Sequence, residues 1–401
     1  MNLITLNIDS IQLGQPLPFT LRGANGVLLA HKGYVIRTRA ELNVLVTRGV
    51  QLCVDTDESG ESHRAYLAQL QRMLLSEQPL GEIASMQMAA ASQPVPTTNP
   101  DGRPDWPQWQ LRATQLLRTP QPGDFLARFE ALHSELAALT LQAPDATLLA
   151  LVHISAQETA MYSATHSLLV ACVCMIVARS NALRWPEDQV QRAGRVALGM
   201  NIAMTELQDQ LAQQTTPLEA PQIVLLESHA QRSQEQLRAL GITDPIVLEA
   251  VRLHHHRAPG PLATKTPAQQ VARLVQRTDI FAARLAPRAT RTPMPVNTAM
   301  QASYHDEEQK VDEAGAAIVK ALGIYPPGTF VRLASQEVGL VFKRGASATA
   351  PRVAVLLNRE GLPTGEMIPR DTAQPAWKIT AAVGQRDVRV HIALERLLAL
   401  V

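Results

Sequence analysis

Apolar residues recur at helical spacing through the middle of the chain. Between residue 110 and about residue 324 this pattern predicts mainly helices, over 125–141, 145–157, 163–181, 186–204, 221–240, 245–256, 266–285 and 307–322. The segment 163–181 is apolar on nearly every side, so we expect it at the centre of a helical bundle. Its longest apolar run, about twelve residues, is shorter than the roughly 20 that a bilayer-spanning helix needs.

The two ends of the chain follow a different pattern. Strands are predicted at 18–21 and 27–30 around the turn Asn25-Gly26, then at 33–36 and 51–54, with a helix over 39–47. After Gly328, alternation of apolar and polar residues predicts strands at 329–333, 338–343, 353–357 and 379–383, and a last helix at 391–400. A helix over 61–88 and a Pro-rich stretch over 92–107 separate the N-terminal part from the bundle.

These elements define a mainly α protein. The expected fold is a helical bundle with a small α+β module at the N-terminus and a β-rich module at the C-terminus. The predicted divisions are the α+β module at 1–60, a helix and linker at 61–109, the helical domain at 110–325 and the β-rich module at 326–401.

Composition narrows the classes of function. The 37 Lys and Arg residues nearly balance the 36 Asp and Glu residues, so a nucleic-acid polymer is not expected as a partner. Cys53, Cys172 and Cys174 form neither a zinc ribbon nor a disulfide framework, which favours a reducing cytoplasm. No basic leader followed by an apolar stretch opens the sequence, so no signal peptide is predicted.

Potential metal ligands lie along the helical region. Three consecutive histidines end a predicted helix just before Pro259-Gly260, and imidazole is the commonest protein ligand of transition metals. A helical bundle can bring ligands from several helices to one interior site. The candidates come from four predicted helices and are His166, His229, His254, His255 and Asp279.

Each candidate also has an ordinary interpretation. A single histidine on a helix can be a hydrogen-bonded core residue, and the three histidines can be a solvated basic tip. Asp279 can pair with Arg277 or Arg284. The charged run 306–308 is interpreted as a solvated helix start, and Cys172 and Cys174 as small packing residues.

The order of these motifs resembles the HD-GYP family, bacterial helical metal-dependent phosphodiesterases that hydrolyse cyclic di-GMP. The similar stretches, together spanning about residues 150–345, are YSATHS at His166, SHAQRSQEQLRALGI at His229, VRLHHHRAPG at His254, QRTDIFAA at Asp279 and GIYPPGTFVRLASQEVGLV from Gly323. The resemblance implies an HD-domain-like helical bundle, a metal site formed by the candidate residues, and cyclic di-GMP as a ligand.

The sequence departs from the family at the positions that the resemblance assigns to the catalytic residues. Gly199 and Met200 stand where the family has its His-Asp pair, and Ala203 stands where it has a lysine. The resemblance implies that the aspartate bridges two metals and that the lysine assists at the scissile phosphate. Hard metal ions need anionic oxygen ligands, so this replacement predicts that no catalytic set remains intact.

The loop after the double histidine also departs from the family. His256 replaces a glutamate and Pro259 an aspartate, and residues 262–264 stand in place of the Gly-Tyr-Pro motif. Because the resemblance implies that this loop shapes the ligand pocket, the departure predicts altered binding of cyclic di-GMP.

We therefore expect a catalytically degenerate HD-GYP-like signalling protein of the bacterial cytoplasm. Its expected function is regulation or protein interaction, with another signalling protein as the partner. We expect no bound cofactor and no catalytic activity. A homodimer is compatible with the sequence. One alternative is a phosphodiesterase with residual activity and a single Fe or Mn ion at the remnant site, to which His256 adds a nitrogen donor.

The other alternative is a metal-free cyclic di-GMP receptor. The planar guanidinium group suits phosphate, so arginines near the expected pocket mouth are the candidate ligand-binding residues. They are Arg257, Arg284, Arg288 and Arg291.

Overall fold

The structure is a computed structural model. It describes residues 3–5, 17, 21–23, 28–30, 36, 52–55, 103–157, 159, 161–291, 293–388, 390 and 394–401. They fall into two compact units, residues 1–96 and residues 97–401.

The first unit contains an antiparallel sheet. Its strands are β1 (Leu3–Thr5), β2 (Leu21–Gly23), β3 (Leu28–Ala30) and β4 (Leu52–Asp55), in the order β1-β4-β2-β3. The predicted hairpin at Asn25-Gly26 is confirmed as the β2–β3 pair. The helices predicted over 39–47 and 61–88, most of the strand at 33–36 and most of the stretch 92–107 lie outside the described residues.

Helices make up most of the second unit. They are α1 (Trp106–Arg118), α2 (Phe125–Gln142), α3 (Pro144–Ser155), α4 (Tyr162–Arg179), α5 (Glu187–Gly199), α6 (Thr205–Gln213), α7 (Ala220–Ala239), α8 (Pro245–Leu253), α9 (Pro267–Leu285), α10 (Val296–Tyr304), α11 (Glu313–Leu322) and α12 (Leu394–Leu398). The mainly α fold that the periodicity predicts is confirmed.

Local capping explains why several of these helices begin where they do. The Asp244 carboxylate accepts hydrogen bonds from the backbone N–H groups of Ile246 and Val247, and the Thr266 hydroxyl accepts one from Gln269. A proline follows each cap, where its missing N–H costs nothing. The two helices that bear His254 and Asp279 therefore start at the predicted positions.

Helix α4 lies at the centre of the bundle, as predicted. Every residue from Tyr162 to Ala178 is buried. Cys172 and Cys174 are unpaired, fully buried packing residues. Helix α4 is long and apolar enough to cross a membrane, but 94% of it is buried inside the protein. Helices α2 and α3 reach the same length and composition only if they are counted as one span, and they are bent by 118° relative to each other.

Two helix predictions are wrong. The helix predicted over 186–204 ends at Gly199, and a 3-10 turn (Ile202–Met204) leads into α6. Glycine has a low helix propensity, and the turn lets α6 pack back against α4. The helix predicted from residue 307 begins at Glu313, because Glu307 is held by the buried guanidinium groups of Arg273 and Arg277 rather than solvated.

A five-stranded antiparallel sheet follows the helices. It contains β5 (Phe330–Leu333), β6 (Val338–Lys343), β7 (Arg352–Leu357), β8 (Pro363–Asp371) and β9 (Ile379–Ala382), in the order β8-β7-β6-β5-β9. Alternate residues of β6 face opposite sides: Leu340 packs in the cluster that contains Leu149 of α3, and Val341 packs towards Trp377. The β-rich C-terminal module is confirmed, although β8 was not predicted.

Candidate metal and ligand site

Three histidines meet at one end of the bundle. Helix α7 positions His229, and the end of α8 positions His254 and His255. One ligand nitrogen from each ring lies within 4.8 Å of the other two, and the Nε2 atoms of His229 and His254 are 3.2 Å apart. His229 and His254 are buried, whereas His255 is exposed. We call these residues the histidine triad.

Backbone hydrogen bonds orient the two buried rings. The Nδ1 atom of His229 lies 2.5 Å from the carbonyl oxygen of Leu226, and that of His254 lies 2.6 Å from the carbonyl oxygen of Val251. A carbonyl only accepts, so each Nδ1 carries the hydrogen and each Nε2 presents a lone pair. Burial and the neighbouring histidines lower the pKa of His254 to about 3, and burial also lowers the pKa of His229.

Two lone pairs facing each other repel unless a cation lies between them. Nitrogen ligands at ~2.0–2.1 Å from a tetrahedral ion are separated by about 3.3 Å. The 3.2 Å between the Nε2 atoms of His229 and His254 fits that geometry. The triad therefore has the donor chemistry for one transition-metal ion bound by three imidazoles.

His166 and Asp279 form a separate pair next to the triad. Helix α4 positions His166 and helix α9 positions Asp279, and His166 Nε2 lies 2.7 Å from Asp279 Oδ1. Although burial alone raises the pKa of Asp279, the hydrogen bond to His166 and the charges of His166, His255 and His254 hold it well below its usual range. Asp279 thus pairs with His166, and not with Arg277 or Arg284 as the alternative interpretation supposed.

The segment 199–203 runs along the face of α7 that bears His229. His229, Ser233 and Leu237 are the three buried residues of α7, and their spacing of four places them on one face. A Cβ atom at Gly199 would lie 2.9 Å from Leu237 Cδ1, and the backbone N–H of Ala203 donates to Ser233 Oγ at 3.2 Å. The segment therefore packs against Leu237 and is hydrogen-bonded to Ser233, on the face of α7 that also bears His229.

Met200 is fully buried in this segment. Its thioether is neutral and soft, so it cannot bridge two hard cations. Gly199 and Ala203 have no donor atoms in their side chains. The residues present do not fit a two-metal centre, whereas the triad alone fits a single ion.

Three of the four candidate arginines lie beyond His166. Tyr162 stacks on His166 with ring centroids 5.6 Å apart, and Arg288 donates to the Tyr162 hydroxyl at 3.1 Å. Arg291 bonds the carbonyl oxygen of Ala283, and burial and the charge of Arg288 lower its pKa. Arg284 bonds the carbonyl oxygen of its own helix at Ile280, and Arg257 is exposed after the histidines.

Arg288 and Arg291 have unused hydrogen-bonding capacity. Their Nε atoms are buried and have no partner among the residues that the structure describes. Neither forms an ion pair with a carboxylate of the described ranges. Partly exposed guanidinium groups with an unused N–H suit an anionic group such as a phosphate.

Sequence reasoning missed the residue that caps the central helix. The buried carboxylate of Asp209 accepts from the backbone N–H and the hydroxyl of Ser163, at 2.7 and 3.1 Å, and also binds Arg118. The carboxylate accepts from a free backbone N–H group in the first turn of α4, one turn before His166. A cap 46 residues away in sequence leaves no local signal.

A buried ionic network supports the loop that follows the triad. Arg273 binds Glu307 and Asp312, and Arg277 shares Glu307. Gln276 of the same helix donates to the backbone carbonyl of His256 at 3.3 Å. The side chain of His256 is exposed and is not part of the triad.

The helical domain brings histidines and an aspartate from four helices into its interior, and helical bundles hold metal ions in this way. No family model matches the chain. The cyclic di-GMP phosphodiesterase PA4108 of Pseudomonas aeruginosa is 28% identical over 232 residues, which are 57% of this chain and 55% of that protein. The match therefore spans about half the length of this relative.

Among solved structures, Bd1817, a HDG"Y"P protein from Bdellovibrio bacteriovorus, has a TM-score of 0.39 and 13% sequence identity. The alignment covers 79% of this chain and 98% of that one. The similarity to PA4108 agrees with the resemblance to the HD-GYP family that the motifs indicated.

Proposed function

We propose that this chain is a bacterial signalling protein whose HD-GYP-like domain does not hydrolyse cyclic di-GMP and has a regulatory or interaction function instead. Met200 carries this proposal, because it is fully buried at the position where the resemblance places the bridging aspartate. Hydrolysis of a phosphodiester by two metals requires ligands that hold both ions and a hydroxide between them. Without a carboxylate at position 200, the bridging ligand that the resemblance implies is missing.

The direct test is hydrolysis by the purified full-length chain supplemented with Fe²⁺ or Mn²⁺. The substrates are cyclic di-GMP and bis-p-nitrophenyl phosphate, and we expect no turnover above that of the metal salt alone. Turnover that disappears in His255→Ala but persists in His305→Ala, an exposed histidine outside the triad, would contradict the proposal.

A phosphodiesterase with one metal is the first alternative, and the geometry of the triad favours it over an entirely metal-free site. An ion bound by His229, His254 and His255 would polarise a phosphoryl oxygen. Three neutral nitrogen donors suit zinc-like ions better than the Fe or Mn expected from the resemblance. Elemental analysis of protein from unsupplemented medium should give no more than one transition-metal ion per chain. The His229→Ala variant should lose this bound metal.

A receptor for cyclic di-GMP is the second alternative. It is favoured by the buried, unpaired Nε atoms of Arg288 and Arg291. Calorimetric titration with cyclic di-GMP tests it: binding should weaken about tenfold or more in Arg288→Ala, the loss expected for a charge-assisted hydrogen bond. The matched control is Arg252→Ala, an exposed arginine paired with Glu249. No heat at high micromolar nucleotide would exclude this function.

The proposed compartment is a reducing cytoplasm, and the proposed partner is another signalling protein. Cys172 and Cys174 are fully buried and unpaired, which supports a reducing cytoplasm. A protein partner is consistent with a domain that keeps its fold and lacks the catalytic residues. A homodimer is compatible with this assignment and is tested below.

A further inference from the structure

The first half of α7 is an apolar surface that the described residues leave uncovered. None of residues 213–228 is buried. The large exposed apolar side chains there are Leu218, Ile223, Val224 and Leu225, and Val224 is 63% exposed. We call these four residues the α7 patch.

The α7 patch is concentrated and rigid. Ile223, Val224 and Leu225 are consecutive, so at 100° per residue they spread over about half the circumference of the helix. Side-chain amides of Gln214 and Gln222 bond each other at 2.8 and 3.2 Å and fix the preceding loop to the helix. Contiguous exposed apolar residues on an ordered element mark an interaction site, whereas scattered ones do not.

The chain segment that bears the α7 patch has a negative charge. No lysine or arginine occurs between Arg195 and Arg232. The exposed charged residues in this interval are Glu206, Glu219 and Glu227. A second copy of this surface would bring like charges together, and an anionic lipid surface would be repelled. A cationic protein surface complements it.

We propose that the α7 patch binds an amphipathic helix of a partner protein, apolar along one face and flanked by lysine and arginine. Apolar side chains would pack between Ile223, Val224 and Leu225, and the cations would lie near Glu219 and Glu227. This inference rests on the proposed signalling function and names its partner class. Because Leu226 holds the ring of His229, a partner bound here would lie one turn from the histidine triad.

The test uses the full-length chain and a fluorescent designed peptide of leucine and lysine at amphipathic helical spacing. Anisotropy should show binding that weakens with added salt, and a leucine–glutamate peptide of equal length should not bind. Val224→Ser should weaken binding at least about tenfold, within the range of an interface hot spot. The matched control Leu141→Ser, at a residue 66% exposed on α2, should not.

The charged rim is tested with Glu219→Gln combined with Glu227→Gln, which should weaken binding and reduce its salt dependence. Equal binding of both peptides, or equal effects of Val224→Ser and Leu141→Ser, would overturn the proposal. So would a dimer in sedimentation that Val224→Ser dissociates, because the patch would then bind a second copy. Hydrolysis and nucleotide titration of Val224→Ser are expected to match the unsubstituted chain, so failure here is distinguishable from failure of the proposed function.

Discussion

His166 Nε2 and Asp279 Oδ1 lie 2.7 Å apart, although the two residues are separated by 113 positions in sequence. The histidine side chain is 2% exposed and the carboxylate 17%. The pair joins the central helix α4 to α9. The hydrogen bond uses one oxygen of Asp279, the aspartate that the resemblance assigns to a metal, and it links the two helices.

The pair should be energetically coupled. In a double-mutant cycle of His166→Ala and Asp279→Ala, measured by urea unfolding with chelator present, we expect a coupling free energy of about 1–3 kcal/mol. The exposed pair Glu249 and Arg252 provides a matched cycle, with coupling of about 1 kcal/mol or less. Additive effects of the two alanine substitutions would show that the bond does not stabilise the fold.

Met200→Asp should make stability depend on metal. Met200 is fully buried, so a carboxylate there should lower the free energy of unfolding by about 3 kcal/mol in chelator. Added Mn²⁺ should recover part of this loss, because the resemblance places a metal-binding carboxylate at this position and an ion bound there stabilises only the folded state. The control Met200→Leu conserves volume and should lose less than about 1.5 kcal/mol. An unchanged melting temperature for Met200→Asp in chelator would contradict the assigned burial.

Glu307→Gln should destabilise the protein far more than the neighbouring Glu308→Gln. Glu307 pairs with Arg273 and Arg277, whose side chains are 2% and 4% exposed. Because Asp312 still pairs with Arg273, loss of Glu307 leaves one buried positive charge, that of Arg277, uncompensated. Removing one partner of a buried ion pair costs about 3–5 kcal/mol. Glu308 pairs with Lys310 in solvent, where screening leaves little net stabilisation. Chemical denaturation of the two variants checks this, and similar losses would refute the buried network.

His133 should make the protein acid-sensitive. Its ring is fully buried, and neither nitrogen has a partner within the described residues. Burial, helped by the charge of Arg195, lowers its pKa from 6.5 to about 4. The unfolded chain therefore binds the proton more readily, and stability falls as pH falls from about 6.5 to about 4, by roughly 3 kcal/mol.

Urea unfolding at pH 7 and pH 4.5 measures this dependence. His133→Leu should make it less steep, because leucine fills similar space without a titrating group, while His254 and His229, whose pKa values are also lowered, still contribute. His305→Leu, at an exposed histidine, should keep the original slope. The assignment of acid sensitivity to His133 fails if both variants retain the same pH dependence.

The sequence by itself determined the fold class and the starts of the ligand-bearing helices. Periodicity identified α4 as the central helix, and the Asp-Pro and Thr-Pro pairs placed the starts of α8 and α9. These signals are local: each depends on side chains within a few residues of the backbone groups that they satisfy. The sequence alone also shows that Gly199, Met200 and Ala203 stand where the family has its His-Asp pair and its lysine.

Tertiary structure alone decided which candidate ligands meet. The crossing of α7 and α8 brings His229 to within 3.2 Å of His254, and the crossing of α4 and α9 pairs Asp279 with His166 instead of an arginine on its own helix. Interhelical distances depend on packing across the whole core, so spacing along the chain does not encode them. For the same reason, the contact of Gly199 with Leu237 and the pairing of Glu307 with two buried arginines became visible only in the folded protein.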